Sequence, residues 1–174
     1  MTPEFSRPER IDTIGPRPRS VTIEADAAER AALSARFGLV GVARLTAALS
    51  VHEEAAGIVV TGRVEADVVQ ACVVTGAPLT AHVDEQVALR FVPEGTEATA
   101  GDEIELADDA LDTISYAGAA IDLGEAAAET MALALDPFPR GPEAATALRA
   151  AGVVGEEEAG PFGALAALRD QLKR

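Results

Sequence analysis

Aromatic side chains make up only 3% of this 174-residue chain, and tryptophan is missing altogether. A core must therefore be built from Val, Leu, Ile and Ala, which the 48% hydrophobic content can supply. Flat platforms for stacking unpaired bases are scarce, which argues against a groove for single-stranded nucleic acid. One cysteine, Cys72, cannot make an internal disulfide, so nothing points to an oxidising compartment. No apolar run reaches the length of a membrane span. The opening Met1-Thr-Pro-Glu-Phe-Ser-Arg-Pro8 lacks the basic-then-apolar order of a signal peptide. The cytoplasm is the expected location, and no membrane partner is expected.

Catalytic chemistry is equally thin. A nucleophile needs a base brought beside it, and the only thiol, Cys72, continues the inward register of a strand and is expected as a buried small hydrophobe. His52 falls in a turn signal and His82 on a polar strand face, so both read as surface histidines. None of the three has the paired local spacing of a metal site, and no metal is expected. The glycines match neither phosphate-binding pattern, so no cofactor or small-molecule substrate is implied. Carboxylates are plentiful, but acid–base work needs one pair held in unlike surroundings. A hydrolase would have to show a concave pocket with two such converging acids. No catalytic residue is assigned.

What the chain does have is negative charge, −15 in all. Twelve acids and no Lys or Arg lie between Phe91 and Pro139. Asp102, Glu103, Asp108, Asp109 and Asp112 form the densest part and are the candidate partner-binding face. Such a surface repels a phosphate backbone and attracts a basic protein, faster at low salt. Equally, acidity can simply keep a chain soluble. The N-terminus differs: Arg7, Arg10, Arg17 and Arg19 stand against Glu4, Glu9 and Asp12. These arginines are the candidates for a limited contact with RNA, or are merely solvated.

Prolines at 3, 8, 16 and 18 predict an extended edge strand or arm. A short strand is expected at Val21–Glu24. Asp26 with Glu29 resembles a capping box opening a helix to about Phe37, with Gly38 as a left-handed stop. Leu45, Ala47, Leu49 and Val51 alternate with polar or small residues. After a turn from His52 to Gly57, so do Ile58, Val60, Val64, Ala66 and Val68, and then Val83, Val87, Leu89 and Phe91. Period-two alternation means one buried and one wet face, the pattern of an antiparallel sheet. Short strands are expected at Glu103–Leu106 and Ile114–Tyr116. Asp122 with Glu125 suggests a second capping box, leading a helix that Asp136-Pro137 ends. Thr146–Ala151 can be helical. Phe162, Leu165, Leu168 and Leu172 form a stripe at helical spacing. The expected fold is α+β: an antiparallel meander with a few helices on one face. Its domain covers residues 1–140, arm included. An Ala/Gly/Glu-rich linker at 141–160 and a short amphipathic helix at 161–174 follow.

Three segments carry a resemblance: Cys72-Val-Val-Thr-Gly-Ala-Pro-Leu79 running into the strand that ends at Leu89-Arg-Phe-Val-Pro-Glu94; Ile121-Asp-Leu-Gly-Glu125 opening a helix that closes on Leu133-Ala-Leu-Asp-Pro-Phe-Pro-Arg140; and Pro161-Phe-Gly-Ala-Leu-Ala-Ala-Leu168. In that order they resemble the bacterial YceD family, the large ribosomal RNA subunit accumulation proteins. Glu4-Phe-Ser-Arg-Pro8 is similar to the start of proteobacterial members. The resemblance implies a non-enzymatic role in accumulation, processing or assembly of the large-subunit RNA. Many members carry a second Cys three residues after the first, where this chain has Thr75, so no metal or redox role follows from a cysteine pair.

Charge limits how such a role can work. Either the acidic stretch docks a basic ribosomal protein or the assembling large subunit, or the N-terminal arginines touch RNA while the acidic body faces away. Phe162, Leu165 and Leu168 can dock in a partner's groove or cover an open edge of their own sheet. The alternative to a ribosomal role is an acidic scaffold or adaptor in a complex unrelated to RNA.

Overall fold

The structure, a computed structural model, describes residues 3–95 and 111–153. The expected strand at Glu103–Leu106 and the C-terminal helix lie outside the described residues. The chain divides into two compact units, one from Met1–Gln70 and Thr80–Asp136, the other from Ala71–Leu79 and Pro137–Arg174.

The first unit is α+β. Its main sheet has the order β2-β3-β4-β5-β6, with β2 at Arg19–Glu24, β3 at Gly41–Glu54, β4 at Gly57–Ala71, β5 at Pro78–Pro93 and β6 at Asp112–Tyr116. The long strands arise where apolar residues alternate, because only an extended chain puts every second side chain on one face. β2–β3 and β3–β4 are antiparallel, and Val51 sits opposite Val60. The β3–β4 turn is tighter than expected: it needs only Ala55 and Ala56, so His52 lies within β3.

The last strand corrects the expected antiparallel meander. β6 runs parallel to β5, pairing Leu89 to Pro93 with Asp112 to Tyr116. A parallel return needs a connection of about a dozen residues or more, and the chain between Pro93 and Asp112 has that length. The sheet is therefore mixed.

The arm forms a second, two-stranded sheet. β1 (Pro8–Arg10) pairs antiparallel with β7 (Ala120–Asp122). Helix α1 (Ala27–Phe37) begins with the full capping box: the Asp26 carboxylate accepts from the amides of Ala28 and Glu29, and Glu29 accepts from the Asp26 amide. It stops at Gly38, whose φ of 64° is the left-handed region that glycine enters without strain. Helix α2 (Leu123–Leu133) follows β7 directly. Leu33 of α1, Leu123, Ala127 and Met131 of α2, Phe5 of the arm and the inward residues of the sheet form one apolar cluster.

The second unit is small. Cys72 to Leu79 turns back on itself, with the Gly76 amide donating to the Cys72 carbonyl and the Cys72 amide to Ala77. The Val73 amide donates to the Pro139 carbonyl. Helix α3 spans Ala144–Ala150, within the stretch expected as a linker.

Candidate functional site

The Ile121–Glu125 segment is a cradle for the N-terminal arm. Asp122 sits at the N-cap of α2 and accepts from the amides of Gly124 and Glu125. Its two oxygens also take the Ser6 hydroxyl at 2.6 Å and the Arg7 amide at 2.8 Å. The Leu123 amide donates in return to the Arg7 carbonyl. At Gly124 the arm's backbone comes so close that a Cβ would lie 2.3 Å from the Phe5 carbonyl oxygen. Only glycine leaves that space, and the result is a fully buried Phe5.

The second expected capping box is only half formed. Glu125 does not reach back to Asp122; its carboxylate takes both guanidinium nitrogens of Arg36, at 2.6 and 2.8 Å. Arg36 also donates to Glu4 at 2.9 Å. A charged, bidentate partner is a better acceptor arrangement than one backbone amide. Arg36 thus ties α1, α2 and the arm together, and these carboxylates hold its guanidinium even more firmly protonated than usual. No sequence spacing announced this clamp, because Glu4, Arg36 and Glu125 are far apart along the chain.

The four N-terminal arginines have separate fates. Arg7 makes a bidentate pair with Glu29, donates to the carbonyls of Ser6 and Glu24, and lies 4.7 Å over the Phe5 ring. Hydrogen bonding to Arg7 holds the Glu29 carboxyl below its usual range. Arg10 pairs with Asp12 and Arg19 with Glu9, all near the surface. Arg17 is exposed and has no ion-pair partner among the described residues. Further along, Arg44 is held by Glu65, Arg63 by Asp84, and Arg90 lies 3.7 Å from Glu54. The positive charge of the unit is largely matched internally, and the surplus is acidic.

Of the candidate acidic face, Asp102, Glu103, Asp108 and Asp109 lie outside the described residues, as do Phe162, Leu165 and Leu168. Asp112 is described: it opens β6 opposite Leu89 and is exposed. Among the described residues no group of three His, Cys, Asp or Glu is close enough to hold a metal ion. No helix there is long and apolar enough to cross a membrane. His82 lies on the wet face, 2.7 Å from Asp67. His52 is mostly covered rather than exposed, with Nε2 3.1 Å from Glu54.

Cys72 departs from the expected small hydrophobe in one respect. It is buried, but β4 ends at Ala71 and the sulfur accepts from backbone amides. The Gly141 amide donates to Sγ at 3.4 Å. With the Thr75 hydroxyl and the amides of Thr75 and Val74 it brings the thiol down to about 6. A negative sulfur is favoured because donors surround it.

A family model, described as large ribosomal RNA subunit accumulation protein YceD, matches residues 60–169. The chain belongs to the YceD family. No curated protein and no solved structure matches it. The YceD match takes in the Cys72 turn and the Ile121–Glu125 cradle and leaves the arm outside it. The resemblance drawn from those two segments and the terminal Pro161–Leu168 is thus shown as membership.

Proposed function

We propose that this chain promotes accumulation of the large-subunit ribosomal RNA as a binding protein, without chemistry of its own, by holding a basic ribosomal protein on its acidic surface. One observation carries this reading. The run from Phe91 to Pro139 has twelve acids and no base, while the arginines elsewhere in the first unit are mostly engaged by carboxylates of their own. Asp122 and Glu125 are used internally, so neither belongs to the partner-binding face, which is placed at Asp102, Glu103, Asp108, Asp109 and Asp112. Family membership supplies the ribosomal context.

Direct RNA contact is limited in this reading. Arg7 is occupied by Glu29 and the arm, which leaves Arg17 as the least committed arginine, with Arg10 and Arg19 able to exchange exposed carboxylates for phosphate. Phe162, Leu165 and Leu168 offer a second, apolar contact to the same partner. The work takes place in the cytoplasm, where ribosomes assemble.

The test is depletion of the protein in its host, with large- and small-subunit RNA quantified across a sucrose gradient. A selective fall in the large-subunit RNA is expected. Wild type should restore it, and a variant with Asp102 and Asp108 changed to Asn should not. An unchanged gradient would move the protein to the scaffold reading, with partners unrelated to RNA.

A further inference from the structure

The N-terminal arm is docked on the first unit at points spread from Phe5 to Gly15. Phe5 is fully buried, and Asp122 holds the Ser6 hydroxyl and the Arg7 amide. Pro8 to Arg10 pair with Ala120 to Asp122, and Ile14 belongs to the core. The Glu53 amide then donates to the Gly15 carbonyl at 2.9 Å. From Arg19 onward the chain is β2, with Arg19 opposite Val51. Pro16, Arg17 and Pro18 are the joint between the two docked parts.

That joint is folded back. Val51 and Glu53 are two residues apart on β3, so Gly15 and Arg19 are anchored at places about 7 Å apart along the strand. The four chain steps between them reach about 14 Å when extended. The chain accordingly bends at Pro16 and Arg17. Its residues favour the opposite. Gly15 and Arg17 each precede a proline, which turns them away from the α region and towards extended backbone. Pro16 and Pro18 have no amide hydrogen to satisfy, so extension leaves no donor of theirs without a partner.

We infer that this joint opens as a hinge and that two copies of the chain exchange arms, each cradle receiving Phe5, Ser6 and Arg7 from the other copy across a two-fold axis. Every contact of the filled cradle is rebuilt between copies, so three other quantities set the balance. Extension of Pro16–Pro18 favours exchange. Repulsion between two chains of net charge −15 opposes it and weakens with salt. The tether opposes it too, because a short linker presents the arm to its own cradle at an effective concentration on the mM scale. The closed chain therefore prevails when dilute, and exchange sets in towards about 1 mM. The arm lies outside the residues that match the family, so exchange belongs to this chain and does not depend on the proposed function.

The test uses two full-length variants, Phe5→Ala with a faulty arm and Gly124→Ala with a faulty cradle. Exchange within either variant alone rebuilds the same faulty contact and gains nothing. A mixed pair gains one sound contact, the arm of the Gly124→Ala chain in the cradle of the Phe5→Ala chain. Its other contact carries both faults, which act on one event and together cost little more than one. The variants are mixed at about 0.1 mM, a tenth of the tether's effective concentration, then warmed and cooled together. Native mass spectrometry in about 0.5 M ammonium acetate, where charge is screened within a few ångström, tells heterodimer from homodimer by mass. The heterodimer's association constant is expected to exceed that of either homodimer by at least roughly thirtyfold. Wild type at about 1 mM should form dimer, and Pro16→Ala with Pro18→Ala should form less. Single-variant homodimers as abundant as the heterodimer would overturn the inference, because the chains would then associate through another surface. So would a mixture that stays monomeric, or a proline variant that dimerises as readily as wild type. If circular dichroism shows Phe5→Ala unfolded, Phe5→Leu takes its place, so that folded chains are compared.

Discussion

Replacing Gly124 by alanine separates two lines of physical reasoning, because they predict opposite signs. Gly124 lies in the first turn of a helix, in ordinary backbone conformation. Helix propensity alone says Ala should stabilise it by up to about 1 kcal/mol. The structure says otherwise. The new methyl carbon would stand 2.3 Å from the Phe5 oxygen, 2.9 Å from the Phe5 carbonyl carbon and 3.0 Å from the Arg7 nitrogen. All three are backbone atoms, so no side-chain rotation relieves the clash, and the arm must lift.

Lifting the arm uncovers Phe5, which is 0% exposed, and breaks the Ser6 and Arg7 bonds to Asp122. Truncating a core Phe to Ala costs about 3–5 kcal/mol. Shifting the arm without deleting the ring should cost less, and the propensity gain offsets part. We expect Gly124→Ala to destabilise by about 2–4 kcal/mol, a fall in Tm of roughly 5–12 °C for a chain of this size. Urea unfolding with circular dichroism measures it. Cleavage by trypsin after Arg10 should quicken in the same variant, because β1 is released with the arm. Phe5→Ala and Gly124→Ala act on one event, so the double variant should cost little more than Phe5→Ala alone. A Gly124→Ala protein as stable as wild type, or more so, would refute the close-approach argument.

Asp122→Ala should destabilise more than Asp26→Ala: both remove a helix cap, worth about 1 kcal/mol, but Asp122 also anchors Ser6 and Arg7, so its loss should reach about 2–3 kcal/mol in urea. Glu29, depressed by Arg7 from its ordinary value of 4.5, contributes stability that is fully present above that value. That contribution is lost as pH falls through the lower folded value, so Arg7→Met should flatten the acid limb of a stability–pH curve. The Cys72 thiol should ionise near its value of about 6, read as thiolate absorbance in the ultraviolet, and Thr75→Val should move the midpoint upward. Ionisation at the ordinary thiol value in the folded protein would show that the surrounding amides do not act on the sulfur.

The parts legible in the sequence are those set by neighbours along the chain. Asp26, Glu29 and Gly38 mark both ends of α1 because capping is local. Leu45 to Val51 and Ile58 to Val68 reveal their faces because alternation is local too. Alternation does not specify the direction of a partner strand, so the parallel β5–β6 pair could not be read from Ile114–Tyr116. Phe5 stands alone between prolines, with no period to mark it as core. The partner of Glu125 was invisible for a related reason: spacing favours the amide three residues back, and a guanidinium brought in by tertiary folding wins. Cys72 was read from strand register, but the strand stops one residue earlier and the turn supplies donors instead.

The candidate site was legible as composition rather than as geometry, and the structure changes what that composition means. Counting acids treats Asp122 and Glu125 as equal to Asp112, yet two of these hold the arm and Arg36 while the third faces water. The Ile121–Glu125 segment that helps mark the family is explained by packing: Asp122 receives the arm, Leu123 is buried, Gly124 makes room and Glu125 binds Arg36. Nothing in it is left over for a partner. Among the described residues, the members of the acidic stretch left out of such internal pairs include the exposed Asp112. The segment that marks the family is in this way accounted for by packing within the first unit: it seats the arm, lends Leu123 to the core and holds Arg36.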